Sequence, residues 1–167
     1  MENKQEPRGI RNNNPLNIRY CQRNEWLGRK GETDKKDKSF EEFKSMYFGI
    51  RAGFILISNY IRSGHRTVEL IITRWAPLTE NKTEDYIRHV CEWSGFDRQQ
   101  VIDPDNPNDM ISLVYAMIRV ECGKWGWEWK MYVAAAYVTW RTNAKPLHEG
   151  RYEMVIDAIE TVLGGPC

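Results

Sequence analysis

Residues 110–123 read MISLVYAMIRVECG, and this stretch sets the class of fold. Met110, Leu113, Val114, Met117 and Ile118 recur at three- and four-residue steps, the period of one helix face. One more step from Met117 or Ile118 lands on Glu121. A carboxylate therefore falls on the core-facing stripe at the C-terminal end of the helix, just before Gly123. Burial disfavours the ionised form, and so does the negative end of the helix dipole. Both push its pKa upward, toward an acid that keeps its proton near neutral pH. A general acid for glycoside cleavage needs that property. The same spacing also fits a frayed helix end, where Glu121 reaches water or pairs with Arg119 or Lys124.

The rest of the chain reads largely the same way. Ile50, Phe54, Ile57 and Ile61 mark a helix from Tyr47 to about Ser63-Gly64. Thr67 is placed to cap a helix with Val68, Ile71, Ile72 and Trp75 as its stripe, which Pro77 stops. Thr83 is placed to cap another, with Tyr86, Val90 and Trp93 inward and Gly95 at its end. Residues 103–109 hold two prolines and several Asx residues, a turn-rich loop, before a helix from Met110 to Glu121. Two more helices are predicted, one from Glu128 and one carrying Tyr152, Val155, Ile156, Ile159, Val162 and Leu163. Residues 1–19 are polar, with no helical period, and read as an extended segment or turn. Residues 20–45 read as a small β-hairpin or long loop, with Phe40 and Phe43 returning the chain to the core. The expectation is one mainly α (α+β) domain over residues 1–167, with about six helices in 46–163 and a small β-hairpin region.

Composition agrees with one globular domain. The chain has 167 residues, of which 41% are hydrophobic and 28% charged, ordinary values that argue against disordered and fibrous classes. Twenty-four basic and 23 acidic residues leave a formal net charge of +1, which argues against a dedicated polyanion binder. Aromatic residues reach 12%, including seven Trp, useful in cores and in sugar-binding clefts alike. Cys21, Cys91, Cys122 and Cys167 are widely spaced and form no CxxC pair. With His65, His89 and His148 they give no zinc spacing, so no metal or cofactor is expected and the thiols read as reduced. No apolar leader and no membrane span is visible, so synthesis in a cytoplasm without a signal peptide is expected.

Two further clusters suggest a site. RWAPLTENKTEDYI, residues 74–87, gathers Trp75, Tyr86 and the acids Glu80, Glu84 and Asp85. Glu84 and Asp85 suit a first helical turn, where acids complement the dipole, whereas Glu80 lies in the loop and is freer. RGIRNNNPLNIR, residues 8–19, offers amides and guanidinium groups for sugar hydroxyls, acetamido groups or phosphates. A turn built by Asx side chains explains the same residues.

These pieces together resemble a known group. NNNPLNIR, then Trp26-Leu27-Gly28, then Asp37 with SFEEFKSMYFGIRA, then RWAPLTENKTEDYI, looks like phage-encoded lysozyme-like proteins of the virion-associated or structural kind. More distantly it is similar to the bacterial glucosaminidase and flagellar muramidase family. The match spans roughly residues 8–95 and rests on the order of its parts, each of which is weakly specific alone. In that family the catalytic Glu lies on a helix before the Asn-Asn element, in a sequence like A-x-x-E-S-G. Here only MENKQEP precedes it, but AMIRVECG, residues 116–123, resembles the missing helix, with Cys122 in the Ser place. The resemblance therefore implies a circularly permuted lysozyme-like domain with Glu121 as the catalytic acid.

Joined to the residue reading, the resemblance implies cleavage of the β-1,4 glycan of peptidoglycan, by a hydrolase or a lytic transglycosylase. Glu121 is then the general acid and Glu80 the first candidate second carboxylate, ahead of Asp37 and Glu32. Asn14 and Asn17 would hold the N-acetyl group, with Trp26, Trp75 and Tyr86 lining the cleft. The implied partners are peptidoglycan strands and phage virion proteins. The implied place of action is the bacterial wall, reached with the virion or at lysis. A non-catalytic phage structural or glycan-binding module uses the same aromatics without the acid. Nucleic-acid binding through Arg8, Arg11, Arg19, Arg23, Arg29 and Lys30 is disfavoured by the balanced charge.

Overall fold

The computed structural model describes residues 6–77 and 82–143. Its helices in chain order are α1 (Arg8–Arg11), α2 (Met46–Arg62), α3 (Val68–Trp75), α4 (Thr83–Ser94), α5 (Pro107–Cys122) and α6 (Trp127–Thr142). The described chain is mainly α-helical, as the apolar periodicity predicts. The helix expected over residues 152–163, Glu80 and Cys167 lie outside the described residues.

The stripe that ends at Glu121 becomes α5. The helix starts three residues earlier than Met110 because the Asn106 side chain accepts the amides of Asn108 (2.9 Å) and Asp109 (3.4 Å). Pro107 takes the first helical position, where a missing N–H is harmless. Gly123 ends α5 in the left-handed region at φ 64°. Met110, Leu113, Val114, Ala116, Met117 and Ile118 are completely buried. Each large one contributes about 1.5–3 kcal/mol by leaving water. The helix packs against α4 and α6 and also touches α1 and α2, so its end is held by several neighbours. On α6, Ala134, Ala135 and Ala136 are buried, and small side chains allow close helix approach. Phe54 of α2 stacks on Trp140 of α6, with centroids 5.8 Å apart.

Thr67 caps α3 as predicted, accepting the Leu70 amide at 3.3 Å. Thr83 does not cap α4. It is the first helical residue, is buried, and donates its hydroxyl to the Ala76 carbonyl at 2.6 Å. That bond ties the start of α4 to the end of α3.

The N-terminal third differs most from expectation. Residues 8–11 form a short helix, α1, rather than an extended segment. Residues 20–45 form no two-stranded hairpin. Residues 39–44 lie centrally, pairing with 18–20 (Glu41 N to Ile18 O, 2.9 Å) and with 28–30 (Lys30 N to Glu42 O, 2.8 Å). The antiparallel bridges Arg19–Phe40 and Arg29–Phe43 are isolated. Glu41 and Glu42 are both buried. Glu41 meets the Cys21 amide (3.2 Å) and Arg29 (3.0 Å), and Glu42 accepts the Lys36 and Asp37 amides (2.6 and 2.5 Å) and Lys30 (3.0 Å). Buried carboxylates with such partners order a loop that has little apolar content.

The Asn run fixes this region to α2. Asn12 donates to Asp37 (2.9 Å), and Asn13, at φ 51°, donates to the Phe43 carbonyl (3.0 Å). Asn14 donates to the Ile18 and Glu41 carbonyls (2.9 and 3.0 Å) and accepts the Ile18 amide (2.9 Å). The loop then rests on Gly49 and Gly53 of α2. A Cβ at Gly49 would lie 2.0 Å from the Asn13 carbonyl oxygen, and one at Gly53 2.1 Å from Leu16 Cδ1. Only a side-chain-free helix face admits so close an approach.

Candidate functional site

Glu121 is the next-to-last residue of α5 and is partly buried. Its Oε2 accepts the Asn17 amide at 2.9 Å, and its Oε1 accepts the Tyr86 hydroxyl at 2.9 Å and the Trp75 indole N–H at 3.3 Å. The three donors come from the loop after α1, the end of α3 and the first turns of α4. Asn17 reaches Glu121 because its backbone is left-handed, at φ 49°, above the buried anchor Leu16. Trp75 is steered by an edge-on contact with Tyr60, 6.2 Å between centroids. Neither Arg119 nor Lys124 is a partner of the Glu121 carboxylate among the described contacts.

Burial raises the Glu121 pKa above the ordinary carboxylate value, and the Asn17, Tyr86 and Trp75 hydrogen bonds offset part of that rise. The helix dipole at the α5 C-terminus acts in the direction of burial. Tyr86 is buried, and burial together with the Glu121 charge pushes its hydroxyl well above the usual tyrosine range. It therefore stays a neutral donor. Burial also pushes the neighbouring Cys122 thiol up to about 12, so it is an inert packing group. Its Sγ sits 3.3 Å from the Pro15 carbonyl.

An open cleft of about 520 Å³ lies over Glu121. Asn17, Trp75 and Glu121 line it, together with Arg8, Arg19, Phe40, Tyr60 and Arg74. Asn17, Trp75, Tyr86 and Glu121, distant in sequence, thus come together at one place. Tyr86, expected to line the cleft, is instead buried and not among its lining residues, and its hydroxyl points to Glu121.

Asn14 and Trp26 are not cleft residues. Asn14 is completely buried and both ends of its amide serve backbone groups, which leaves it nothing to offer a sugar. Trp26 packs against the core, with its indole nitrogen buried and without a hydrogen-bond partner among the described residues. Asp37 is also a builder of the fold. It accepts Asn12 and the Ser39 and Phe40 amides and pairs with Arg8 at 3.7 Å. Burial would raise its pKa, but those donors outweigh it and hold the carboxyl below the usual range. Glu32 is exposed and binds Tyr20 and Arg29 (2.6 and 3.3 Å). Among the described lining residues Glu121 is the single acid. Glu80 lies outside the described residues.

Sequence reasoning missed Phe40, Tyr60 and Arg74 as cleft residues. Sequence places Phe40 in the core beside Phe43. Phe43 is completely buried, whereas Phe40 faces the cleft beneath Arg8 and Arg19. The alternation within SFEEF holds the signal, since residues three apart in an extended segment point to opposite faces. Among the described residues no three His, Cys, Asp or Glu side chains form a group able to hold a metal ion, and no helix is long and apolar enough to cross a membrane.

No protein-family model matches the chain. A curated relative, Protein P5 of Pseudoalteromonas phage PM2, is 41% identical over 137 residues, which cover 75% of this chain and 82% of that protein.

Proposed function

The chain belongs to the family of phage Protein P5, and we propose that it cleaves the β-1,4 glycan of peptidoglycan with Glu121 as general acid. The observation that carries this reading is the Glu121 carboxyl at the cleft, partly buried, raised in pKa and held by Asn17, Tyr86 and Trp75. A protonated Glu121 donates to the glycosidic oxygen while Trp75 offers a flat face to a sugar ring and Asn17 fixes the acid. Tyr86 positions Glu121 and touches no substrate. The closeness of residues 8–19 to the end of α5 supports the circularly permuted lysozyme-like arrangement, because it joins the Asn element to the acid-bearing helix.

Glu80 keeps its proposed role as the second carboxylate. With Glu80, water attacks and the product carries a reducing end. With Glu121 alone, closure of an anhydro ring by the substrate's own hydroxyl completes the reaction. Mass spectrometry of peptidoglycan digests tests cleavage and tells the two products apart. An intact sacculus after exposure to the folded protein overturns the proposal.

One observation favours the non-catalytic reading. Three donors on one carboxylate stabilise its charged form, which suits a structural acid in a glycan-binding virion protein. Retention on peptidoglycan without turbidity loss, unchanged in Glu121→Gln, identifies that case. The relative's phage origin suits either role and supports virion proteins as partners.

A further inference from the structure

Arg8, Arg19 and Arg74 line the cleft, against the single acid Glu121 among its described lining residues. All three guanidinium groups lie over aromatic rings. Arg8 and Arg19 are 4.6 and 5.3 Å from the Phe40 centroid, and Arg74 is 5.5 Å from that of Tyr60. A ring face steadies a guanidinium without using its N–H donors. Arg8 also pairs with Asp37 at 3.7 Å through Nε, and its side chain stays 53% exposed. Arg19 and Arg74 are exposed on the cleft rim. Hydroxyl and acetamido groups of a neutral glycan need no such group of cations. A planar guanidinium matches a carboxylate by two parallel hydrogen bonds.

Resting on the reading that this cleft takes a glycan, we propose that Arg8, Arg19 and Arg74 form a carboxylate-binding subsite. The cleft thereby selects an acidic strand, bearing lactyl or peptide carboxylates, over a neutral β-1,4 glycan of equal length. The positive field also draws the acidic strand in from solution, an effect that salt weakens.

The test uses the full chain carrying Glu121→Gln, so that ligands are not consumed. Calorimetry compares a peptidoglycan tetrasaccharide with its peptide stems, the same fragment with its carboxylates amidated, chitotetraose, and a single-stranded oligonucleotide. The expected result is binding of the acidic fragment about tenfold tighter than of the amidated one. Adding Arg19→Gln and Arg74→Gln removes that difference, and circular dichroism confirms that these exposed substitutions leave the fold intact. Equal affinity for the acidic and amidated fragments overturns the proposal. So does a preference that survives the arginine substitutions, or an oligonucleotide that binds more tightly than the acidic fragment. Digestion by the unsubstituted protein is scored separately. No cleavage with the preference intact removes the enzymatic reading alone, and cleavage without the preference removes the subsite alone. Failure of every glycan to bind removes both.

Discussion

The Asn17 amide donates to the Glu121 carboxylate at 2.9 Å across 104 residues of sequence. This bond joins the Asn-rich loop after α1 to the end of α5, and with Tyr86 and Trp75 it fixes both oxygens of the acid. A carboxyl so held has one orientation toward the cleft, and its proton affinity is set by burial against three donors.

Glu121→Gln keeps the shape but has no proton to transfer. Its amide oxygen can still accept Tyr86 and Trp75, and its NH2 meets Asn17 Oδ1, unpartnered among the described residues, once the Asn17 amide turns. Peptidoglycan clearing is expected to fall by a factor of about 10² or more, with the melting temperature unchanged or higher. A turbidity assay beside a thermal melt checks this. Full activity in the variant would remove Glu121 from the mechanism.

The raised pKa of Glu121 also links stability to pH. The folded state keeps this proton at pH values where the unfolded chain has lost it. Its contribution is therefore fully present below the ordinary carboxylate pKa and is lost as pH rises through the raised folded value. Subtracting the Glu121→Gln stability curve from that of the parent isolates the term. The difference should decline with rising pH in that window and then level off.

Tyr86→Phe removes one donor that lowers the Glu121 pKa. The acid then holds its proton to higher pH, and the alkaline limb of the activity profile should move upward. A pH–rate series on both proteins measures the shift. A limb that stays in place would mean that another group sets it.

Asn14 and Asn17 separate structure from chemistry. Asn14→Ala strands the Glu41 carbonyl and the Ile18 amide in the interior, while the Ile18 carbonyl keeps the Glu41 amide, and should cost about 2–3 kcal/mol in chemical denaturation. Asn17→Gly tolerates the left-handed backbone and removes the bond to Glu121, so its main effect is expected in the pH–rate profile.

Gly49→Ala places a methyl group 2.0 Å from the Asn13 carbonyl oxygen. Because the obstacle is backbone, the Asn loop must lift from α2, at about 3 kcal/mol. Gly9→Ala meets Cys122 Sγ at 2.6 Å and the Asn14 carbonyl at 2.8 Å, next to the acid. Activity should fall more steeply than stability in Gly9→Ala, and stability more steeply in Gly49→Ala.

Helices α2 to α6 were legible because each carries its instructions locally. The stripe from Met110 to Ile118, the Thr67 cap and the stop signals at Gly95 and Gly123 act over a few residues. Glu121 was legible for the same reason, since a helical step from Met117 or Ile118 places it on the buried side. Residues 12–45 were not. Their order comes from Asn13, Asn14 and Glu41, which bind backbone groups 20–30 residues away, from Asn12, which meets the Asp37 side chain, and from Glu42, which gathers the Lys36 and Asp37 amides. Composition shows these residues without showing which group each will meet. Asn14 and Asn17, three apart in one motif, illustrate the limit: one is consumed inside the fold and the other reaches the acid.

Periodicity and capping, properties of neighbouring residues, establish a mainly helical chain with an acid on the core side of one helix end. What that acid meets is set by the packing of distant segments. Packing of α3, α4 and the Asn loop onto α5 brought Trp75, Tyr86 and Asn17 within 2.9–3.3 Å of Glu121, and the same packing set Phe40, Tyr60 and the arginines around the cleft. Hydrogen bonds and burial depend on distance in space, and spacing along a chain does not fix that distance until the fold has closed.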